Sequence, residues 1–154
     1  MISKDTFDQL LNKGLTIAFA ESMTGGAATY ELMKNPGASK VISGSIVAYS
    51  IKQKHNLLNM SLEDMNKYGI VSKEVSSIMA RKIKETIGSD IGVGVTGNAG
   101  PTLQDNTYGL EAWVSILCKT EMHVFHLDLE GLSRVEAIEK TVRFIYEKLS
   151  NILN

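Results

Sequence analysis

The chemistry-bearing residues of this sequence gather around one stretch, Ala20-Glu21-Ser22-Met23-Thr24-Gly25-Gly26, which sets two hydroxyls and two glycines between the apolar run Leu15 to Ala20 and a helix-like segment. The pattern reads as a strand, a tight polar turn and a helix whose first N–H groups have no intrahelical partner. Such N–H groups, with the positive end of the helix dipole, suit an anion or an oxyanion, and glycines let a ligand approach the backbone. The same residues also suit a plain strand-to-helix turn in which Ser22 or Thr24 caps the helix, so the turn by itself leaves both readings open.

A hydroxyl becomes a useful nucleophile only beside a group that takes its proton. The three histidines, His55, His123 and His126, form no i, i+4 pair, and Cys118 is the single cysteine, so no metal set is built. His123 and His126, three apart on a strand, point to opposite faces, and nothing pairs His55 with an acid for a serine triad. Serine activated by lysine remains. The second strand ends in Tyr49-Ser50-Ile51-Lys52-Gln53-Lys54, a phenol and two amines near the sheet rim. Such a lysine must be desolvated or held near other cations, to bring its pKa below about 10.4. A phenol hydrogen-bonded between serine and lysine would then relay the proton. The alternatives are a packing tyrosine and solvated lysines.

The elements that must position these groups follow in chain order. Residues 3 to 13 form an amphipathic helix ended by Gly14, Leu15 to Ala20 a strand, and Thr24 to Met33 a helix stopped by Asn35-Pro36-Gly37. Val41 to Tyr49 is a second strand with close backbone approach at Gly44. Helical turns over Ser50 to Leu58 and a short helix from Ser61 to Tyr68 come next. A longer helix then starts at Ser72, with Val75, Ile78, Met79, Ile83 and Ile87 on one face and Gly88 after it. Asp90 to Thr96 is a strand ending in a second small-residue turn, Thr96-Gly97-Asn98-Ala99-Gly100-Pro101, and Thr102 to Tyr108 is a polar loop. Leu110 to Cys118 and Met122 to Leu129 make a hairpin at one sheet edge, and the capping box Ser133/Glu136 opens a helix reaching nearly to the C-terminus. This order predicts an α/β fold, a three-layer-type sandwich with a mixed sheet of about five strands and helices on both faces. Both small-residue turns lie at strand ends, where such sheets bind ligands.

Size and charge narrow the classes. The 154 residues fit one domain, 1–154, and 44% hydrophobic with 21% charged residues is ordinary globular usage. With 16 Lys and Arg against 17 Asp and Glu, the formal net charge of -1 provides no field for a nucleic-acid backbone, so no nucleic-acid partner is expected. No apolar run is long enough for a membrane span and the N-terminus lacks a signal peptide's apolar segment, which places the expectation in the cytoplasm with no membrane partner.

With these pieces assembled, the sequence resembles the family of the C-terminal domain of the competence-damage-inducible protein CinA, whose stand-alone members include nicotinamide-mononucleotide deamidases. Ala20 to Gly26 matches the family's A-E-S-C-T-G-G, and Tyr49-Ser50 with Lys54 matches its Y-S-N-x-x-K. Gly69-Ile70-Val71-Ser72 matches its G-x-V-S and Thr96-Gly97-Asn98-Ala99-Gly100-Pro101 its T-G-x-A-G-P. Met23 and Ile51 stand where the family has Cys and Asn, and the segment 102 to 112 departs from its glycine-rich continuation. Longer members carry an N-terminal pyrophosphatase-like domain, and the expectation here is a member without it.

The resemblance implies that Ser22 is the nucleophile, with Tyr49 and Lys54 as its activating pair. It implies that Thr24, Gly25, Gly26, Gly37 and Gly44 shape one side of the pocket and that Thr96, Gly97, Ala99 and Gly100 shape the other. Arg134, in Leu132-Ser133-Arg134 where the family has G-D-R, would suit a substrate phosphate. The implied reaction is hydrolysis of nicotinamide mononucleotide to nicotinic acid mononucleotide and ammonia, with no metal and no cofactor, in a homo-oligomer. Two alternatives are a non-catalytic nucleotide- or partner-binding module of the same fold and an amidase for another small carboxamide.

Overall fold

The computed structural model describes every residue except Asp105, Asn106 and Tyr108, which belong to the expected polar loop. Its order is α1 (Lys4–Lys13), β1 (Ile17–Glu21), α2 (Ala27–Met33), a 3-10 turn (Ala38–Lys40) and β2 (Ile42–Val47). Then come α3 (Ile51–Leu58), α4 (Leu62–Tyr68), α5 (Lys73–Ile87), β3 (Ile91–Asn98), β4 (Glu111–Cys118), β5 (Glu121–Asp128) and α6 (Arg134–Leu153). The strands form one sheet in the order β2-β1-β3-β4-β5. The first three run parallel and β4 and β5 return antiparallel, so the sheet is mixed and the hairpin lies at its edge.

Two cores follow from the pleat, because alternate residues of each strand face opposite ways. Ile17, Phe19, Val93, Val95, Val114 and Ile116 pack against α1, α2 and α6. Ala18 and Ala20 face the other way, onto Leu58, Met65, Val75, Met79 and Ile83 of α3, α4 and α5. The central strands β1 and β3 are buried along their whole length. Gly92 and Gly94 bring α5 unusually close: a Cβ on either would lie 2.2 Å from a carbonyl oxygen of α5, that of Ala80 or of Ser76.

The helix starts are set by side-chain caps. Ser50, Ser61, Ser72 and Ser133 each accept a backbone N–H of the following turn, and Ser133 with Glu136 completes the capping box. The expected helix from Thr24 begins only at Ala27, because Gly25 and Gly26 take φ of 59° and 102° and leave residues 23 to 26 as a turn. Cys118, the single cysteine, is half-buried at the last position of β4. Among the described residues, no helix is long and apolar enough to cross a membrane.

Candidate active site

The end of β1 divides the site between two faces of the sheet. Phe19 belongs to the α2 side and Ala20 to the α3 side, so alternation sends Glu21 under α2 and presents Ser22 toward α3. Lys54 comes from the first turn of α3, where the Ser50 cap fixes the helix start and the spacing to Leu58 turns both side chains inward. Lys54 is wholly buried, and its Nζ lies 3.0 Å from Ser22 Oγ, within hydrogen-bond distance. Burial lowers the Lys54 pKa from the usual 10.5 to about 8. Among the described residues, no carboxylate forms an ion pair with it. A buried amine with a depressed pKa, within hydrogen-bond distance of a serine hydroxyl, is placed where it could take that hydroxyl's proton.

Tyr49 stands elsewhere than the expected relay position. Its hydroxyl accepts a 2.7 Å hydrogen bond from Arg134 Nη2, while Arg134 Nη1 donates to the Gly100 carbonyl at 2.6 Å. Lys54, one turn into α3, reaches the serine directly, so no phenol is needed between them. Tyr49 is 57% exposed and sits at the rim with the guanidinium. Arg134 thereby joins three segments, the end of β2, the turn after β3 and the start of α6.

Thr24, buried beside Ser22, donates from its hydroxyl to Glu21 Oε1 at 2.6 Å. Gly25 and Gly26 shape the turn itself, and Gly26 faces Val47 at the end of β2. Gly97 meets this turn from β3. A Cβ there would lie 2.6 Å from Met23 Sδ and 2.3 Å from the Glu111 carbonyl oxygen, so the two small-residue turns interlock. Ala99 is buried in the core below, and Gly100 supplies the carbonyl that holds Arg134.

Gly37 and Gly44 are not brought to the site. Gly37, at φ 90°, starts the 3-10 turn and faces Phe7 of α1, near the end of the sheet where Ile17 N–H donates to the Val41 carbonyl. Gly44 pairs with Ala18, well before Ser22 along β1, and its α-carbon faces Ile87 at the far end of α5. Each glycine is used for local packing.

Three residues that sequence reasoning passed over also build this region. Ile70 accepts a 2.7 Å hydrogen bond from Thr96 Oγ1, which ties the loop before α5 to the end of β3. Gln104 donates from Nε2 to the Gly97 carbonyl and from its backbone N–H to Asn98 Oδ1, stitching the segment after β3 back onto the strand. Glu21 is wholly buried and accepts from Ala28 N and Thr29 N, both at 2.9 Å, so the free amides expected at the start of α2 are already taken. Only the glutamate's place inside the stretch around Ser22 hinted at it.

Comparison with known proteins agrees with this architecture. The model of the CinA C-terminal domain family matches residues 1–153. A competence-damage inducible protein, by name, of Lysinibacillus sphaericus (strain C3-41) is 32% identical over 152 residues, covering 96% of this chain and 36% of the relative. A CinA-like protein of Prochlorococcus marinus (strain AS9601) is 44% identical over 110 residues, covering 70% of this chain and 26% of the relative. The chain therefore spans about a third or less of the length of these curated relatives. A crystal structure of a CinA superfamily protein from Klebsiella pneumoniae superposes with a TM-score of 0.94 at 22% identity, over 99% of this chain and 95% of that one, and so shares the fold. By the span of the family match and the identity to these relatives, the chain belongs to the CinA C-terminal domain family.

Proposed function

We propose that the chain is an amidohydrolase that removes the amide nitrogen of nicotinamide mononucleotide, with Ser22 as nucleophile and Lys54 as its base. The observation that carries this reading is the 3.0 Å approach of a wholly buried amine to the Ser22 hydroxyl. The family's stand-alone members include nicotinamide-mononucleotide deamidases, which supplies the substrate class.

Neutral Lys54 takes the Ser22 proton as Oγ bonds to the carboxamide carbon, giving a tetrahedral oxyanion. The carbon–nitrogen bond then breaks, the nitrogen takes the proton from Lys54, and ammonia leaves an acyl ester on Ser22. Lys54 next deprotonates water, whose oxygen bonds to the ester carbon. Collapse breaks the ester bond, the proton on Lys54 returns to Ser22, and nicotinic acid mononucleotide departs, its carboxyl proton passing through solvent to the released ammonia so that the products are carboxylate and ammonium. The oxyanion is served by amides of the turn. The N–H groups of Met23, Thr24 and Gly26 donate to no described residue, whereas those at the start of α2 are engaged. Arg134 and Tyr49 offer a cation and a hydroxyl proton to the substrate phosphate at the rim.

The test is ammonia release from nicotinamide mononucleotide by the purified chain, beside Ser22→Ala and Lys54→Ala. The expected result is release by the parent that falls by about a thousandfold or more in both variants. No release by a folded parent overturns the substrate assignment, and a binding-only module is then read from retained nucleotide affinity in Ser22→Ala. Release from other small carboxamides alone redirects the assignment to them.

A further inference from the structure

Glu21 is the residue before the nucleophile, and its carboxylate is one of the most heavily hydrogen-bonded groups in the molecule. Oε1 accepts from Thr24 Oγ1 at 2.6 Å and from Ala28 N at 2.9 Å. Oε2 accepts from Thr29 N at 2.9 Å and from Thr29 Oγ1 at 2.6 Å. The residue is wholly buried, and among the described residues no Lys, Arg or His forms an ion pair with it. Its own carbonyl accepts from Ala48 N at 2.9 Å, which holds the end of β2, just before Tyr49, against the end of β1.

A buried charge without a counter-ion persists only when donors are arranged around it, and here every donor belongs to the turn or to the first residues of α2. The arrangement has two consequences for Ser22. The turn is anchored at both ends by a single side chain, so the nucleophile's backbone has little freedom relative to Lys54. The carboxylate also consumes the Ala28 and Thr29 amides, while Ala27 N bonds to the Thr24 carbonyl and Tyr30 N to the Gly26 carbonyl. The helix end is therefore closed, and the free amides lie in the turn beside Ser22. We infer that Glu21 is a positioning residue: its carboxylate holds the turn in the shape that aims Ser22 and leaves the turn amides for the oxyanion. This inference rests on Ser22 being the nucleophile, and it goes beyond that reading by assigning the group that orients it.

Glu21→Gln tests it, because the shape is kept while the amide nitrogen meets donors that only an acceptor satisfies. The first readout is the rate at which a sulfonyl fluoride labels Ser22, followed by intact mass, with Ser22→Ala as the unlabelled control. The second is kcat and KM for ammonia release. The expected result is labelling and kcat lowered by about tenfold to a hundredfold, KM within about twofold, and a pH dependence still rising through about 8 because Lys54 is untouched. Thr29→Val removes one of the four donors, guards against misfolding of the first variant, and should lower labelling several-fold. Parental labelling and kcat in a folded Glu21→Gln, or in Thr29→Val if the first does not fold, overturns the inference. A parent that is labelled yet releases no ammonia removes the substrate assignment alone, and the labelling comparison still decides the role of Glu21. A folded parent that resists labelling removes the nucleophile and this inference together.

Discussion

Lys54 is the residue on which the proposed chemistry turns, and its burial makes a pH signature that can be measured. With a pKa of about 8, it is protonated at neutral pH and becomes a base only as pH rises. The rate of ammonia release at low substrate should therefore climb about tenfold per pH unit below 8 and level off above it. Stability carries the opposite side of the same shift. The folded pKa lies below the unfolded one, so the unfolded chain binds more protons between about 8 and 10.5, and the burial penalty is complete below 8 and fades as pH rises. Lys54→Met should abolish activity yet raise stability at pH 7, by up to roughly 3 kcal/mol from the shift alone, with the gain shrinking by pH 10. Urea denaturation of parent and variant at the two pH values checks the sign. Tyr49 has a different part in the proposed reaction, since its hydroxyl is held by Arg134. Tyr49→Phe should raise KM by about three- to tenfold while kcat stays within about twofold, whereas a large fall in kcat would restore the relay.

At the scale of elements, caps and close packing place the groups of the candidate site. The Ser133 and Glu136 box opens α6 directly before Arg134, so the cap fixes where the guanidinium begins its reach to Tyr49 and Gly100. Ser133→Ala should lower stability by about 1 kcal/mol and raise KM alongside, read from a denaturation curve and a kinetic assay on the same sample. The packing of α5 onto β3 is less forgiving. A methyl group at Gly94 would lie 2.2 Å from the Ser76 carbonyl oxygen and 2.6 Å from Ala80 N, atoms of a rigid helix. Gly94→Ala should cost about 3 kcal/mol or more, or prevent folding, seen as a lowered urea midpoint.

For the whole molecule, the site exists because three parallel strands end together and separate loops close over that end. Gly97 on β3 receives Met23 from the β1 turn, Thr96 holds Ile70 before α5, and Arg134 on the opposite layer bridges to Tyr49. The sequence by itself determined the alternation of elements, the mixed sheet, the hairpin edge and the capped helix starts. These depend on short-range periodicity and on glycine and serine chemistry that act within a few residues. Its motifs also marked Ser22 and Lys54, which lie 3.0 Å apart in the structure. Only the tertiary structure decided that Lys54 is buried and touches Ser22 directly, that Tyr49 turns to Arg134, and that Gly37 and Gly44 serve packing far from Ser22. It also revealed Glu21 as the carboxylate that fills the start of α2. Depth below the surface, and the partner that a side chain finds across 28 to 85 residues of chain, as with Ser3 and Glu31 or Tyr49 and Arg134, follow from how layers stack, which no local pattern encodes.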